Sequence, residues 1–519
     1  MNGFPLITAL TLVPLFGAVA LAGLDSDKKS LGRGMALGFS FLSFLLAIVL
    51  WRNFDAASSA AQFQFVERHG WIPSIGVQYF VGVDGLGLLM VLLSAIVVPF
   101  ALLVSSNIGE KSNAYFSLML FLQAGLFGAF TALNFFHWFI FWEMGLVPAY
   151  FLIKLWGGPG RTQAATQFFI YTLLGSVTML LGFVAIYLAA GTFDFVKLAE
   201  VGRNGGLAAL FAVKSGWVGV SASTLALIIF FGVFLGFAVK VPLIPFHTWL
   251  PNAYTEAPTG VSMVLTGVMS KMGVYGFIRI LMPLFPNQMR SMLTPLLWLA
   301  VATIVFSAFA AFAQRDLKRM IAYSSINHLG YCLLGIFAAL KLTDNGAQWP
   351  LEKAAALNGV LLQMFNHGLS ASALFCFIGF LEQRGGVRGL NDFGGLRKVA
   401  PVFCGLMGIS LFASLGLPGL NGFIGEFLIF KGAFPLAGWA TSLSVIGLLV
   451  TAVFLLTILQ RVFSGPLEAK WAGFADLNLK ERMIVFPIIA LIFVLGIYPQ
   501  LILQFINPTV VKMVAQSPL

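Results

Sequence analysis

Charge is what this sequence has least of. Of its 519 residues only 9% are Asp, Glu, Lys or Arg, against about 25% in soluble domains. A chain that is 59% hydrophobic with a mean hydropathy of +0.94 has more apolar surface than a soluble core can hide, so its solvent is lipid. Cysteine is nearly absent too. Cys332, Cys376 and Cys404 stand singly in apolar runs, without CxxC or Cys/His spacing, which argues against a disulfide, a zinc site or an iron–sulfur cluster. No P-loop occurs, and no Gly-rich fingerprint lies between a strand and a helix. The glycine-rich "GLPGLNGFIG" lies inside an apolar span, so nothing here is shaped to hold NADH or ATP. Basic residues exceed acidic ones, 30 to 19. They cluster in short loops between apolar runs, where they set membrane topology rather than bind nucleic acid.

What is present is a series of runs long enough to span a bilayer, each needing about 20 residues. About fourteen are expected, over 4–23, 35–51, 86–105, 115–132, 135–155, 165–190, 222–250, 257–283, 294–314, 320–340, 355–382, 403–433, 441–463 and 483–504. "MNGFPLITALTLVPLFGAVALAG" has no basic n-region and reads as the first span rather than a cleaved signal. Residues 1–519 form a single membrane domain, an all-α polytopic fold. Within it, 1–114 hold spans one to three, 115–283 a first repeat, 294–463 a second, and 483–504 the last span. Lys28, Lys29, Arg388, Arg397 and other basic residues favour the loops after odd-numbered spans, by roughly two to one. Those loops should be cytoplasmic, with both termini on the opposite side.

Two spans are interrupted. The seventh contains "VKVPLIPFHTWLP", with Pro242 and Pro245; the twelfth contains "SLGLPGLNGFIGEF", with Pro418 between glycines. Proline removes a backbone donor and clashes with the preceding turn, so both should break into half-helices. Such breaks at membrane depth persist where protein or a water-filled cavity satisfies the freed backbone. In corresponding places of two halves they mark an ion site between inverted repeats, here spans four to eight and nine to thirteen.

Ionisable residues inside the spans carry the functional signal. A Lys or Asp at mid-helix costs about 2.5–3.5 kcal/mol to insert. Glu143, Lys240, Lys271 and Glu426 all lie well inside spans, whereas Arg279 and Arg461 sit where side chains snorkel. Lys240 precedes one break, beside carbonyls that favour a cation. Glu426 follows the other, near amides that favour an anion. Lys240 is the expected partner of Glu143. A pair about 5 Å apart at an effective dielectric of about 20 interacts by roughly 3 kcal/mol, which suits a switchable proton carrier. His328 and His367 have side chains suited to relaying protons, each with a bland alternative as a packing residue. His247, beside the first break, is read as structural or as a gate. His137 lies off the Glu143 face.

"FWEMGLVPAYFLIKLWGG", "GFAVKVPLIPFHTWLPNAYTEAPT", "SKMGVYGFIRI", "RDLKRMIAYSSINHLGY", "NHGLSASALF" and "LPGLNGFIGEF" occur in that order. Together they resemble the antiporter-like membrane subunits of respiratory complex I and of multisubunit cation/proton antiporters, over about residues 84 to 465. The resemblance implies a fourteen-helix core of two inverted five-helix repeats with helices seven and twelve broken. It also implies a proton path through Glu143, Lys240, Lys271, His328, His367 and Glu426. Glutamate rather than lysine at 426 is similar to the M-type (chain 4, photosynthetic D-type) branch. "PNAYTEAPT" departs from the commoner Asp-Ala-His there. Residues 341–353 look like an insertion, a possible partner contact.

The resemblance thus implies a proton-translocating subunit of a complex-I-like NADH:quinone oxidoreductase in an energy-transducing membrane, bacterial and cytoplasmic by expectation. L-like and N-like subunits would flank it, within lipid. It would bind no cofactor itself, leaving flavin, iron–sulfur clusters and quinone to its partners. The alternatives are a subunit of a sodium/proton antiporter or membrane-bound hydrogenase, or a non-transporting scaffold.

Overall fold

The computed structural model describes residues 4–57, 62–214, 219–342 and 348–516. The chain begins with α1 (Leu6–Ala22) and α2 (Lys29–Arg52), then an antiparallel hairpin, β1 (Gln64–Ile72) and β2 (Val77–Val83). This hairpin is the one sheet among the described residues, an element outside the all-α expectation. There follow α3 (Gly85–Val104), α4 (Ser112–Thr131), α5 (Phe135–Trp156), α6 (Arg161–Ala190), α7 (Phe195–Arg203), α8 (Gly206–Lys214) and α9 (Ala222–Lys240). After a break come α10 (Trp249–Glu256) and α11 (Thr259–Val264), α12 (Lys271–Gly276) and α13 (Met282–Leu284), these last three joined by two π turns into one span. A short α14 (Pro286–Ser291) leads to α15 (Leu293–Phe312), α16 (Leu317–Ala339) and α17 (Gln348–Gly385). The remainder is α18 (Pro401–Leu415), α19 (Asn421–Leu436), α20 (Gly438–Phe463), α21 (Leu479–Ile497) and α22 (Gln500–Gln516).

The fold is an all-α polytopic membrane protein. Eleven helices among the described residues are long and apolar enough to cross a bilayer, and twelve if α21 and α22 count as one bent span. The expected spans all fall on helices or helix pairs, with shorter apolar pieces at α1, α18 and α19. The span expected over 483–504 is not straight: α21 and α22 meet at 63°. Pro499, which has no backbone N–H to continue the ladder, sits at that corner. Residues 343–347 of the 341–353 insertion lie outside the described residues; Lys353, at its end, is buried in α17.

Burial separates lipid-facing from inner helices. The span Thr259–Leu284 is fully buried in its most apolar stretch, and α16 nearly so, while α6 and α20 bury only a third. Leu174, Leu181 and Leu188 mark the outer face of α6. Its inner face carries Gly175 and Gly182, which let α9 approach closely. A Cβ on Gly175 would lie 3.3 Å from the Gly236 Cα, the small-residue packing that membrane helices use in place of a hydrophobic drive.

The same backbone tie occurs twice. Phe135 N–H donates to the Phe193 carbonyl (2.8 Å) and Phe195 N–H to the Leu133 carbonyl (2.9 Å). Leu317 N–H donates to the Arg388 carbonyl (2.9 Å) and Leu390 N–H to the Arg315 carbonyl (2.6 Å). The residue at the centre of each, Asn134 or Asp316, caps the helix that follows, α5 or α16. Side-chain oxygens suit that position because they satisfy free first-turn amides.

Candidate proton path

Both breaks expected from Pro242/Pro245 and Pro418 are present, and each is satisfied by protein. Leu243 N–H reaches back to the Ala238 carbonyl (2.7 Å), and the Trp249 indole donates to the Val239 carbonyl (2.9 Å). The Thr303 hydroxyl accepts from Ile244 N–H at 3.2 Å. Two carbonyls near Lys240, those of Ala238 and Val239, are therefore already capped, and the local dipole is weaker than a bare helix end. In the second break Gly416 and Gly419 have φ of +79° and +92°, a region that L side chains rarely occupy. A Cβ on Gly422 would lie 1.9 Å from the Ala413 carbonyl oxygen. Glycine is required there by space alone.

Around the first break lies an incomplete ion site. Lys240, the last residue of α9, is 2% exposed. Its ammonium does not form a salt bridge with Glu143. It sits 5.1 Å from the centre of the Trp142 ring, with Glu143 within electrostatic range. Trp142 is itself fixed, its indole N–H donating to the Ser176 hydroxyl at 3.0 Å. Ser176 also sits beside the Glu143 carboxylate, whose buried Oε1 makes no hydrogen bond. The expected contact pair is thus a pair at a distance, with an indole next to the lysine.

The second cluster is continuous. A π turn over Leu265–Met269 precedes Lys271 and leaves carbonyls without their usual helical donors. The Tyr254 hydroxyl donates to the Leu265 carbonyl at 2.9 Å, and the Ser270 hydroxyl to the Thr266 carbonyl at 3.1 Å. The Lys271 ammonium also donates to the Thr266 carbonyl. Its Nζ lies 2.8 Å from His367 Nδ1. The His367 and His328 rings are 5.0 Å apart, and His328 Nδ1 lies 3.0 Å from Glu426 Oε1. Gln363 Nε2 donates to the same oxygen at 3.1 Å and lies 3.3 Å from His328 Nδ1. Glu426 is the sixth residue of α19, beyond its free amides, so side chains rather than the helix dipole hold it. A Cβ on Gly416 would lie 2.8 Å from its Oε2.

The structure therefore brings Lys271, His367, His328 and Glu426 into one chain and places Glu143 and Lys240 in a second group. Contact between the groups is backbone to backbone: a Cβ on Gly273 would sit 3.2 Å from the Lys240 carbonyl carbon. His247 is outside both, packed on Phe306 and Tyr323. His137 packs against Tyr79 and Phe141.

Sequence reasoning missed several polar residues. Ser176, Trp142 and Gln363 are ordinary residues in apolar helices, and their spacing carries no signal. Arg279 does not snorkel: it is 7% exposed and pairs with Asp84, the cap of α3. Arg388 joins Glu256, Asp316 and Glu382 (3.3, 2.5 and 3.2 Å), beside Lys318, which pairs with Glu382 at 2.6 Å. Burial opposes the Arg388 charge, and the three carboxylates outweigh it, raising its pKa above the ordinary arginine value. Among the described residues no group of His, Cys, Asp and Glu is arranged to hold a metal ion.

Buried lysine, histidine and glutamate in close succession, beside two broken helices, define a membrane subunit of the proton-transporter class. Residues 132–454 match the family described as NADH:quinone oxidoreductase/Mrp antiporter, TM. Curated NADH-quinone oxidoreductase M subunits from Rickettsia bellii and Rhodobacter capsulatus are 34% and 35% identical over 517 residues. Those alignments cover 98% of this chain and 98% and 96% of theirs. A chain of respiratory complex I from Thermus thermophilus superposes with a TM-score of 0.82 at 28% identity, covering 98% of this chain and 99% of that one. A chain of the Mrp complex from Dietzia sp. DQ12-45-1b shares the fold, with a TM-score of 0.82 at 20% identity over 99% and 98%. The chain belongs to the NADH:quinone oxidoreductase/Mrp antiporter membrane family. It is an antiporter-like, proton-translocating membrane subunit of the complex I type.

Proposed function

We propose that this chain is the M-type subunit of a complex-I-like NADH:quinone oxidoreductase and that it carries protons through the two clusters in series. The observation that carries the reading is the succession Lys271–His367–His328–Glu426, in close polar contact at both ends with the two rings 5.0 Å apart between centres. Lys271 exchanges a proton with His367 across their 2.8 Å contact. The histidine rings pass it on, and Glu426, held by Gln363, receives it through His328 Nδ1. Glu143 and Lys240 supply the input. A change in the charge or position of Glu143 alters what stabilises the Lys240 cation, and Lys240 then loads Lys271. Intramembrane ionisable groups placed in this manner are functional by default.

The repeated backbone tie supports two inverted repeats, spans four to eight and nine to thirteen, in a core of about fourteen. The same reading puts L-like and N-like subunits on either side and leaves flavin, iron–sulfur clusters and quinone to partners. It places the complex in the bacterial cytoplasmic membrane with both termini on the non-cytoplasmic face.

The test is NADH-driven proton uptake by vesicles holding the assembled complex with Glu143→Gln. Intact assembly with lost proton translocation is expected. Unchanged translocation with weakened assembly would return the chain to the scaffold reading. A nickel–iron hydrogenase co-purifying in place of a flavin- and NADH-binding subunit would overturn the M-type assignment.

A further inference from the structure

Lys240 is buried, and no carboxylate among the described residues forms a salt bridge with it. Its ammonium lies 5.1 Å from the Trp142 ring centre, within the distance at which a ring quadrupole attracts a cation, most strongly where water is excluded. The ring is not free to turn away, because its N–H is bound to Ser176 Oγ at 3.0 Å. Trp138 at 4.7 Å and Phe237 at 5.8 Å pack against it. Glu143 follows Trp142 in the chain and also meets Ser176. One serine thus touches both the ring holding the lysine and the carboxylate competing for it.

We propose that Trp142 is a positioning residue for proton transfer, a seat on which the Lys240 ammonium rests when it is separated from Glu143, with Ser176 fixing the seat. The seat gives the cation a second place to rest, so parting from the carboxylate does not strand a bare charge in an apolar interior. Without it the lysine would either stay locked to Glu143 or lose its proton before Lys271 is ready to receive it. Both failures lower the protons moved per electron. This inference rests on the proton-carrier role of Lys240 proposed above.

The test replaces Trp142 in the assembled complex with tryptophan analogues bearing one to four ring fluorines. Fluorine withdraws density from the ring face while nearly preserving shape and the N–H, so packing and the Ser176 bond remain. Protons translocated per NADH oxidised should fall stepwise with each fluorine, reaching about a tenfold loss at four. Ser176→Ala should lower the ratio several-fold. Trp142→Phe should retain more of it than Trp142→Leu, provided both assemble. Fluorinated complexes that pump like the unmodified protein would overturn the seat. Lys240→Ala keeps the two ideas apart. If it abolishes translocation while fluorination does nothing, the seat alone fails. If Lys240→Ala pumps normally, the carrier role fails with it.

Discussion

Set side by side, the two halves share a backbone plan and diverge in chemistry. Each is fastened by the same pair of hydrogen bonds, centred on Asn134 with Asp194 and on Asp316 with Gly389, and each has a helix broken in mid-span. Counting nine residues on from each cap gives Glu143 in one half and Ser325 in the other. The carboxylate of the first half is replaced by a hydroxyl that meets Thr266 at 3.0 Å, beside the Lys271 seat. At the breaks the charge also changes place: Lys240 stands before one and Glu426 after the other. The first half keeps its charges apart and incompletely bonded, as a switch needs. The second sets them in close succession, Lys271 on His367 and His328 on Glu426, as a wire needs.

The largest effect should come from cutting the connected half. Lys271→Ala or His367→Ala should reduce NADH-driven proton translocation on the order of 100-fold, the scale of a positioned proton donor. Vesicle acidification with a pH-sensitive dye measures it. Full pumping by either variant would dissolve the distinction between wire and switch. Next, Glu143→Gln should cost about tenfold, the factor that corresponds to 1.4 kcal/mol, and Glu143→Asp should recover part of it. An equal loss from Ser325→Ala would mean that the halves are more alike than their side chains suggest. Arg388→Ala should lower stability by about 3 kcal/mol, since Glu256 and Asp316 are left without their cation while Glu382 keeps Lys318. Thermal unfolding in detergent, with Arg388→Lys as a partial rescue, reads that out. Smallest is Asn134→Ala, about 1 kcal/mol for a lost cap, measured in the same assay.

Much of this was legible in the sequence because lipid imposes harsh rules. Long apolar runs announced the helices, prolines the breaks, and Glu143, Lys240, Lys271 and Glu426 were conspicuous where charge is costly. Less legible was anything that depends on how helices face each other. Nothing in "FHWFIFWEMG" says that the Trp142 ring lies beside the lysine. Nothing near Gln363 says that it bonds Glu426. Arg279 looked like a helix-end residue because its distance from Asp84 in sequence conceals their contact. The hairpin of 64–83 was less legible for another reason: it lies outside the apolar spans, and its register shifts interrupt the alternation that marks a strand.

The π turns in the span Thr259–Leu284 carry a further consequence, one of phase. Consecutive residues of an α-helix are rotated by about 100°, and a π turn admits one residue more than the regular spiral. The turn over Leu265–Met269 therefore swings everything beyond it around the axis, and the one over Phe277–Leu281 does so again. Lys271, which meets His367, lies beyond the first turn, and Arg279, which pairs with Asp84, lies within the second. An idealised helix drawn through the same letters would aim both side chains elsewhere. In this span the backbone carries an angular offset that the residue spacing alone does not display.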